Sequence, residues 1–285
     1  MNDWETLGAV DPRELTDARL QLHWAAQAAA GVGKLLLPHQ EDYGEQSFQW
    51  LAGPRVLAQG VVDGKFRSAV RPSPAALLLL DGDGATLAEL PLEGRTLDGV
   101  YEWVKTEVER LWGCPLEKPL ERPGEDFPAH PVGSGAVFNT AGPGFAELGR
   151  YYADADRALR AIAERNPGAS PVRCWPHHFD IATLILLDEG EDAEKARSIG
   201  VGLSPGDGGI PEPYFYLLPW PAPKTGALPE LAGGRWQTEG WVGAVLEASD
   251  FAGAGSNGSQ ARRVEAFLDS AVTGCRRLLE GGKTE

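Results

Sequence analysis

The strand-like segments of this chain follow one another directly, in two groups, and are not separated from each other by helices. The first group comprises residues 46–51, 55–62, 65–71, 75–80 and 85–92. The second group comprises residues 171–174, 180–187, 198–203, 214–219 and 235–246. Strands joined by short turns pair antiparallel, whereas parallel pairs need a long crossover connection. This order therefore predicts an α+β protein with mostly antiparallel sheets and flanking helices.

The turn Asp81-Gly-Asp-Gly84 is the clearest local signal of a tight hairpin. Glycine and aspartate tolerate the positive φ angles that such turns require. The same residues also resemble the start of a calcium-binding loop. However, Ala85 and Leu92 stand where that loop needs an oxygen ligand and its closing glutamate. We therefore predict a hairpin turn that joins two strands of the first group.

Apolar residues at helical spacing predict four helices. The first has Asp11 as its N-cap and ends near Ala30, because Gly31 and Gly33 follow. The others cover residues 97–112, 145–165 and 260–280. The order helix, meander, helix thus occurs twice. This pattern predicts two similar halves, although no sequence identity links them.

The length of 285 residues suits one large domain or two modest ones. Residues 114–144 are rich in proline and have no periodic pattern, which is typical of a linker or a long functional loop. We predict one compact protein over residues 1–285. It can be subdivided into an N-terminal half (1–113), a Pro-rich loop (114–144) and a C-terminal half (145–285).

The formal net charge is −15, and the chain has no cluster of Lys and Arg. Such clusters bind phosphate groups, so the composition argues against nucleic acids and anionic membranes as partners. The three cysteines are widely spaced and match neither a disulfide framework nor a zinc site. The N-terminus has no signal-peptide pattern, and the apolar runs are too short to span a bilayer. These features predict a cytoplasmic protein, and the motifs identify no cofactor and no oligomeric state.

Two adjacent histidines and an aspartate occur in the most apolar part of the sequence, residues 172–223. If this segment is extended, His178 and Asp180 point to one face, and His177 points to the other. A carboxylate beside an imidazole fixes its tautomer and raises its basicity. We therefore predict His178 as a catalytic base or ligand and Asp180 as the residue that orients it. A structural role is the alternative, in which Asp180 caps a turn or holds a buried histidine.

Five further residues are predicted to bind a ligand, because they are polar and lie in apolar segments or in a loop. They are His23, Gln27, His130, Asp207 and Tyr216. If a metal binds, its ligands would come from His23, His177, His178 and Asp180. The leading hypothesis is a small-molecule-binding protein or an enzyme. The alternatives are a non-enzymatic protein-interaction module and a metal-dependent hydrolase.

The order of these motifs resembles a bacterial protein family of unknown function. The resemblance rests on Leu22-His23 with Gln27, Asp126 with His130, Ser170-Pro-Val172, Phe179-Asp-Ile-Ala182, Pro205-Gly-Asp207 and Pro213-Tyr-Phe-Tyr216. It spans nearly the whole chain, although Asp42-Tyr-Gly-Glu-Gln46 departs from the tryptophan and histidine usual at that place. The resemblance implies a single coherent fold and no particular mechanism.

Overall fold

The structure, a computed structural model, describes residues 4–188, 196–253 and 255–281. Within these ranges it contains helices and two antiparallel sheets, which confirms the predicted α+β class. The helices are α1 (Thr16–Leu36), α2 (Leu97–Trp112), α3 (Gly144–Arg165), α4 (Ala248–Phe251) and α5 (Asn257–Gly281). None of the helices in the described ranges is both long enough and apolar enough to cross a membrane.

Contacts divide the chain into two compact units. The N-terminal unit comprises Leu15–Gly149 and Arg173–Phe179. The C-terminal unit comprises Met1–Glu14, Arg150–Val172 and Asp180–Glu285. The Pro-rich loop predicted at 114–144 therefore lies inside the N-terminal unit. Residues Arg173–Phe179, which we call the arm, belong to that unit although they are distant from it in sequence.

The sheet of the N-terminal unit is a five-stranded meander in the order β1-β2-β3-β4-β5. Its strands are β1 (Gln49–Leu51), β2 (Val56–Ala58), β3 (Arg67–Arg71), β4 (Ala76–Leu80) and β5 (Thr86–Pro91). The Asp81 carboxylate closes the hairpin between β4 and β5, since its Oδ1 accepts hydrogen bonds from the amides of Asp83 (3.0 Å) and Ala85 (2.8 Å). The predicted hairpin turn is thus confirmed.

Helix α1 packs against this sheet and is longer than predicted. The Ser68 hydroxyl on β3 donates to the carbonyl oxygen of Ala29 (2.9 Å). The predicted end near Ala30 is wrong, because the helix continues through Gly31 and Gly33 to Leu36. A Cβ atom on Gly33 would lie 2.2 Å from the carbonyl oxygen of Glu45. Gly33 is therefore present for close packing and not as a helix terminator.

The second sheet has six strands in the order β10-β11-β9-β8-β7-β6. They are β6 (Arg173–Trp175), β7 (Asp180–Leu186), β8 (Ser198–Ser204), β9 (Tyr214–Trp220), β10 (Arg235–Gln237) and β11 (Gly243–Glu247). The single strand predicted at 235–246 is wrong, because β10 and β11 are an antiparallel pair. Gly240, with φ +80°, lies in the turn between them. The chain reversal follows the polar residues Thr238 and Glu239 and was not recognised from the sequence.

The amino-terminal segment of the C-terminal unit is held by two buried side chains. The amide of Glu5 donates to Asp154 Oδ1 on α3 (3.0 Å). The side chain of Gln260 on α5 accepts from the amide of Leu7 (3.0 Å) and donates to its carbonyl oxygen (2.9 Å). Asp154 is only 1% exposed, and this burial raises its pKa to about 7.

This raised pKa predicts how the stability of the wild type depends on pH. Between the ordinary pKa of 3.8 and about 7, the folded protein holds a proton on Asp154 that the unfolded chain releases. The Asp154 contribution to stability is therefore complete at low pH and is lost as the pH rises through 7. We therefore expect the stability of the wild type relative to Asp154→Asn to decline by an amount on the order of 2 kcal/mol between about pH 5 and pH 8.

Urea unfolding across this pH range measures the effect. Asp83→Asn, in the exposed turn between β4 and β5, is the matched control and should retain the pH dependence of the wild type. If the free energy of unfolding changed with pH in the same way for the wild type and Asp154→Asn, the role of this carboxyl group would be contradicted.

Candidate functional site

The arm is held on α1 through one carbonyl group. His23 Nε2 and Gln27 Nε2 both donate to the carbonyl oxygen of Pro176, each at 2.7 Å. Their spacing of four residues places them on one face of the helix, as the sequence predicted. Because a carbonyl oxygen only accepts, the proton of the neutral His23 ring is on Nε2. These two predicted ligand-binding residues thus bind the protein's own backbone.

His23 lies in an aromatic environment. Its ring stacks on Phe179 with a centroid distance of 5.2 Å and contacts Phe127 at 4.3 Å. The residue is only 4% exposed, and this burial lowers its pKa to about 4, although the bond to Pro176 opposes the shift. At neutral pH the ring is therefore uncharged. It acts as a neutral hydrogen-bond donor that fixes the arm.

The arm turns sharply at the two adjacent histidines. Residues 176–179 form a turn, Phe179 has φ +59°, and its amide donates to the carbonyl oxygen of Trp175 (2.7 Å). The pairing of His178 with Asp180 was predicted for an extended segment. These residues form a turn instead, so that condition is not met. The expected apolar surroundings are also wrong, because His177 and His178 are both exposed, with ring centroids 4.5 Å apart. The catalytic roles of His178 and Asp180 stay predictions.

Asp180 begins β7 in the C-terminal unit, and its carboxylate accepts a hydrogen bond from the Tyr216 hydroxyl on β9. Gly202 on β8 pairs with Tyr216 between these two strands. A Cβ atom on Gly202 would lie 2.6 Å from the Tyr216 ring and hydroxyl. Glycine at this position thus lets the tyrosine lie across β8 and reach Asp180.

Asp207 stabilises the turn between β8 and β9. Its Oδ1 accepts from the amides of Gly209 (2.7 Å) and Ile210 (2.8 Å). Its Oδ2 accepts from the Tyr214 hydroxyl, and burial together with this carboxylate raises the Tyr214 pKa. The Tyr214 and Tyr216 rings are 6.2 Å apart. The predicted residues Asp180, Asp207 and Tyr216 thus belong to a Tyr/Asp cluster of the C-terminal unit.

His130 connects the Pro-rich loop to α1. Its Nδ1 accepts from the amide of Val132 (3.3 Å), so that its Nε2 donates to Asp17 Oδ1 (3.1 Å). Trp24 Nε1 on the same helix donates to the carbonyl oxygen of Pro128 (3.0 Å). These bonds position the loop residues that follow Arg122, including Phe127 beside His23. The role of His130 here is to hold the loop.

The arm, α1 and two loops line a cavity of about 410 Å³ in the N-terminal unit that is open to solvent on one side. We call it the arm cavity. Its lining residues are Gln27, Ala30, Gly31, Lys34, Asp42, Tyr43, Gln46, Glu121, Arg122, Pro123, Trp175, Pro176 and His177. Of the residues predicted from sequence, Gln27 and His177 line it. A second space of about 750 Å³ beside α2 is lined by Lys105 and Lys118 and shares Arg122 with the arm cavity.

Sequence reasoning missed the residues that give the arm cavity its charge. Lys34 forms an ion pair with Glu121. Arg122 pairs with Asp98 at 2.7 Å, and Asp42 pairs with Arg173 of the arm at 2.6 Å. The spacing of Gln27, Gly31 and Lys34 along one face of α1 was the signal available in the sequence. Small residues on a polar helix face leave space that a ligand can fill.

The ion pair between Lys34 and Glu121 is weak because water reaches it. The Lys34 and Glu121 side chains are 45% and 67% exposed. Exposed pairs contribute about 0–1 kcal/mol to stability. A bound molecule can therefore replace such a pair at little cost in free energy.

A metal centre was one of the sequence hypotheses. Among the residues that the structure describes, no three or more His, Cys, Asp or Glu side chains lie close enough to hold a metal ion. A metal-dependent hydrolase needs such a cluster of ligands. The metal-dependent hydrolase stays a prediction.

Comparison with known proteins identified no relative. No family model, no curated protein and no solved structure matches this chain. The resemblance to a bacterial family of unknown function stays a prediction, and the geometry of the chain itself must support any functional conclusion.

Proposed function

We propose that this protein binds a small molecule in the arm cavity. The observation that carries the proposal is the volume of about 410 Å³ together with its mixed lining. Binding sites for small ligands typically have volumes of roughly 300–1,000 Å³, apolar walls and a few polar groups. Trp175 and Tyr43 supply aromatic surface, whereas Gln46, Lys34 and Arg122 supply polar groups. All of these residues belong to one unit.

The fixed arm supports this proposal. The bonds from His23 and Gln27 to Pro176 hold one wall of the cavity against α1 before any ligand arrives. A preorganised wall lowers the entropy cost of binding. The exposed His177 on this wall can donate or accept a hydrogen bond, so the same cavity suits an enzyme as well as a binding protein.

A cavity-filling variant tests the proposal. We expect Gln46→Trp to abolish ligand binding, because the indole would occupy space that the half-buried glutamine leaves open. Gln49→Trp, on an exposed position of β1, is the matched control. Thermal-shift and saturation-transfer NMR measurements would use a set of small metabolites of every charge class. Compounds that bind wild type and Gln49→Trp but not Gln46→Trp would support the proposal. If no compound showed this dependence, the proposal would be wrong.

Fewer residues support the protein-interaction hypothesis than support a ligand in the arm cavity. Leu184 on β7 and Leu218 on β9 are exposed and both pair with Gly200, and Trp220 is exposed at the end of β9. Stable protein interfaces use roughly 20–30 residues on each side. Three apolar side chains are few by this measure, so we favour the arm cavity.

A further inference from the structure

The charged residues that line the arm cavity are balanced. Lys34 and Arg122 are basic, whereas Asp42 and Glu121 are acidic. The chain as a whole has 26 basic and 41 acidic residues, so this lining is richer in basic residues than the rest of the protein. A site with both signs of charge does not match a ligand that carries only one.

We infer that the ligand of the arm cavity is a zwitterion, a small molecule that carries a carboxylate, an ammonium group and an apolar part. This inference rests on the proposed function of the cavity. A simple anion would meet the carboxylates of Asp42 and Glu121, and a simple cation would meet Lys34 and Arg122. A zwitterion can place each of its charges beside the opposite one.

The geometry limits the separation of the two charges. The Lys34 ammonium and the Glu121 carboxylate contact each other directly in the ion pair. A ligand that binds beside them meets a positive and a negative group at nearly the same place. The carboxylate and ammonium of the ligand must therefore be close neighbours, as they are on the single α-carbon of an amino acid.

The apolar wall indicates the rest of the ligand. Tyr43, Pro123, Trp175 and Pro176 line the cavity beside the charged groups. Aromatic and proline rings offer flat apolar surface against which a side chain can pack. The chemical class that satisfies both parts of the lining is an apolar or aromatic amino acid with a free amino and a free carboxyl group.

Four probes that share one side chain test the charge requirement. Phenylalanine is a zwitterion, N-acetylphenylalanine is an anion, phenylalaninamide is a cation and N-acetylphenylalaninamide is neutral. The corresponding leucine series tests an aliphatic side chain. We expect isothermal titration calorimetry of the full chain to show that a free amino acid binds at least about tenfold more tightly than its three derivatives.

Charge-removing variants assign the two contacts. We expect Lys34→Gln to weaken binding of the probes that carry a carboxylate, and Glu121→Gln to weaken binding of those that carry an ammonium group. Lys224→Gln and Glu239→Gln, at exposed positions of the C-terminal unit, are matched controls that should bind like the wild type.

Three results would overturn the inference. A derivative that lacks one or both charges could bind as tightly as the free amino acid, the charge-removing variants could behave like their controls, or no free amino acid could bind. In each case, cavity-dependent binding of other compounds in the Gln46→Trp experiment would leave the proposed function intact. Failure of that experiment as well would overturn both.

Discussion

His23→Ala is expected to lower the free energy of unfolding by about 3 kcal/mol and to weaken the attachment of the arm to α1. The substitution removes a ring that is only 4% exposed and its contacts with Phe127 and Phe179. After the substitution, Gln27 is the remaining side-chain donor to the Pro176 carbonyl oxygen in the part of the chain that the structure describes. Because the arm forms one wall of the cavity, ligand binding should weaken together with stability.

Urea unfolding and ligand titration measure this effect. His178→Ala is the matched control, because that histidine is exposed on the same arm. Exposed substitutions usually change stability by less than about 0.5 kcal/mol. If the two variants had equal stability, the role of His23 in holding the arm would be refuted.

The same histidine makes the protein sensitive to acid. The folded protein holds His23 at a pKa of about 4, below its ordinary 6.5, so the unfolded chain binds the proton more readily. The stabilising contribution is therefore complete above about pH 6.5 and is lost as the pH falls toward 4. Each pKa unit corresponds to about 1.4 kcal/mol, so the loss is on the order of 3 kcal/mol. The Asp154 carboxyl group acts in the opposite direction over this range, so the effect is measured as a difference. The stability of the wild type relative to His23→Ala should fall by this amount between about pH 6.5 and pH 4.

The second large effect is expected at Gly33. In Gly33→Ala the new Cβ atom would lie 2.2 Å from the carbonyl oxygen of Glu45 and 2.4 Å from Gln59 Nε2. The Gln59 side chain also accepts from the Gly33 amide (2.8 Å) and donates to the carbonyl oxygen of Ala30 (3.1 Å). Overpacking of this kind costs about 1–3 kcal/mol, and disruption of a buried hydrogen-bond network adds to it. We expect a total loss of about 3 kcal/mol or more.

Gly31→Ala provides the control within the same helix. The nearest atoms to a Cβ atom on Gly31 belong to Leu120, at 3.6 Å, which is an ordinary contact. Alanine is favoured over glycine in helices by about 1 kcal/mol, so this variant should equal or exceed the wild type in stability. Thermal unfolding of both variants measures the contrast. A similar response at the two glycines would contradict the close approach of Glu45 to α1.

Local patterns were sufficient for most of the secondary structure. In α2, the Thr96 hydroxyl caps the first turn by accepting from the Gly99 amide (3.2 Å), and Gly113 ends the helix with φ +91°. The hairpin at Asp81 forms through bonds to amides within four residues. Such features depend on near neighbours in the chain, which is why sequence reasoning placed this helix and this hairpin.

Tertiary contacts decided what local patterns could not. Gly33 resembles a helix terminator in sequence, and only the proximity of Glu45 shows that it is a packing residue. The histidines of the arm were expected in apolar surroundings, whereas the bond from His23 to Pro176 and the turn at Phe179 leave them exposed. In both cases the deciding partner is remote in sequence.

The sequence by itself determined the α+β class, the approximate positions of the four long helices and the antiparallel pairing of the strands, because hydrophobic periodicity and turn chemistry act over a few residues. It also identified Gln27 and His177 as residues of interest. Only the tertiary structure placed Lys34 and Arg122 beside Trp175 in one cavity. Exposed charges have no periodicity, and the free energy that brings them together comes from the burial of other residues. The chemistry of the arm cavity was therefore visible only in the folded chain.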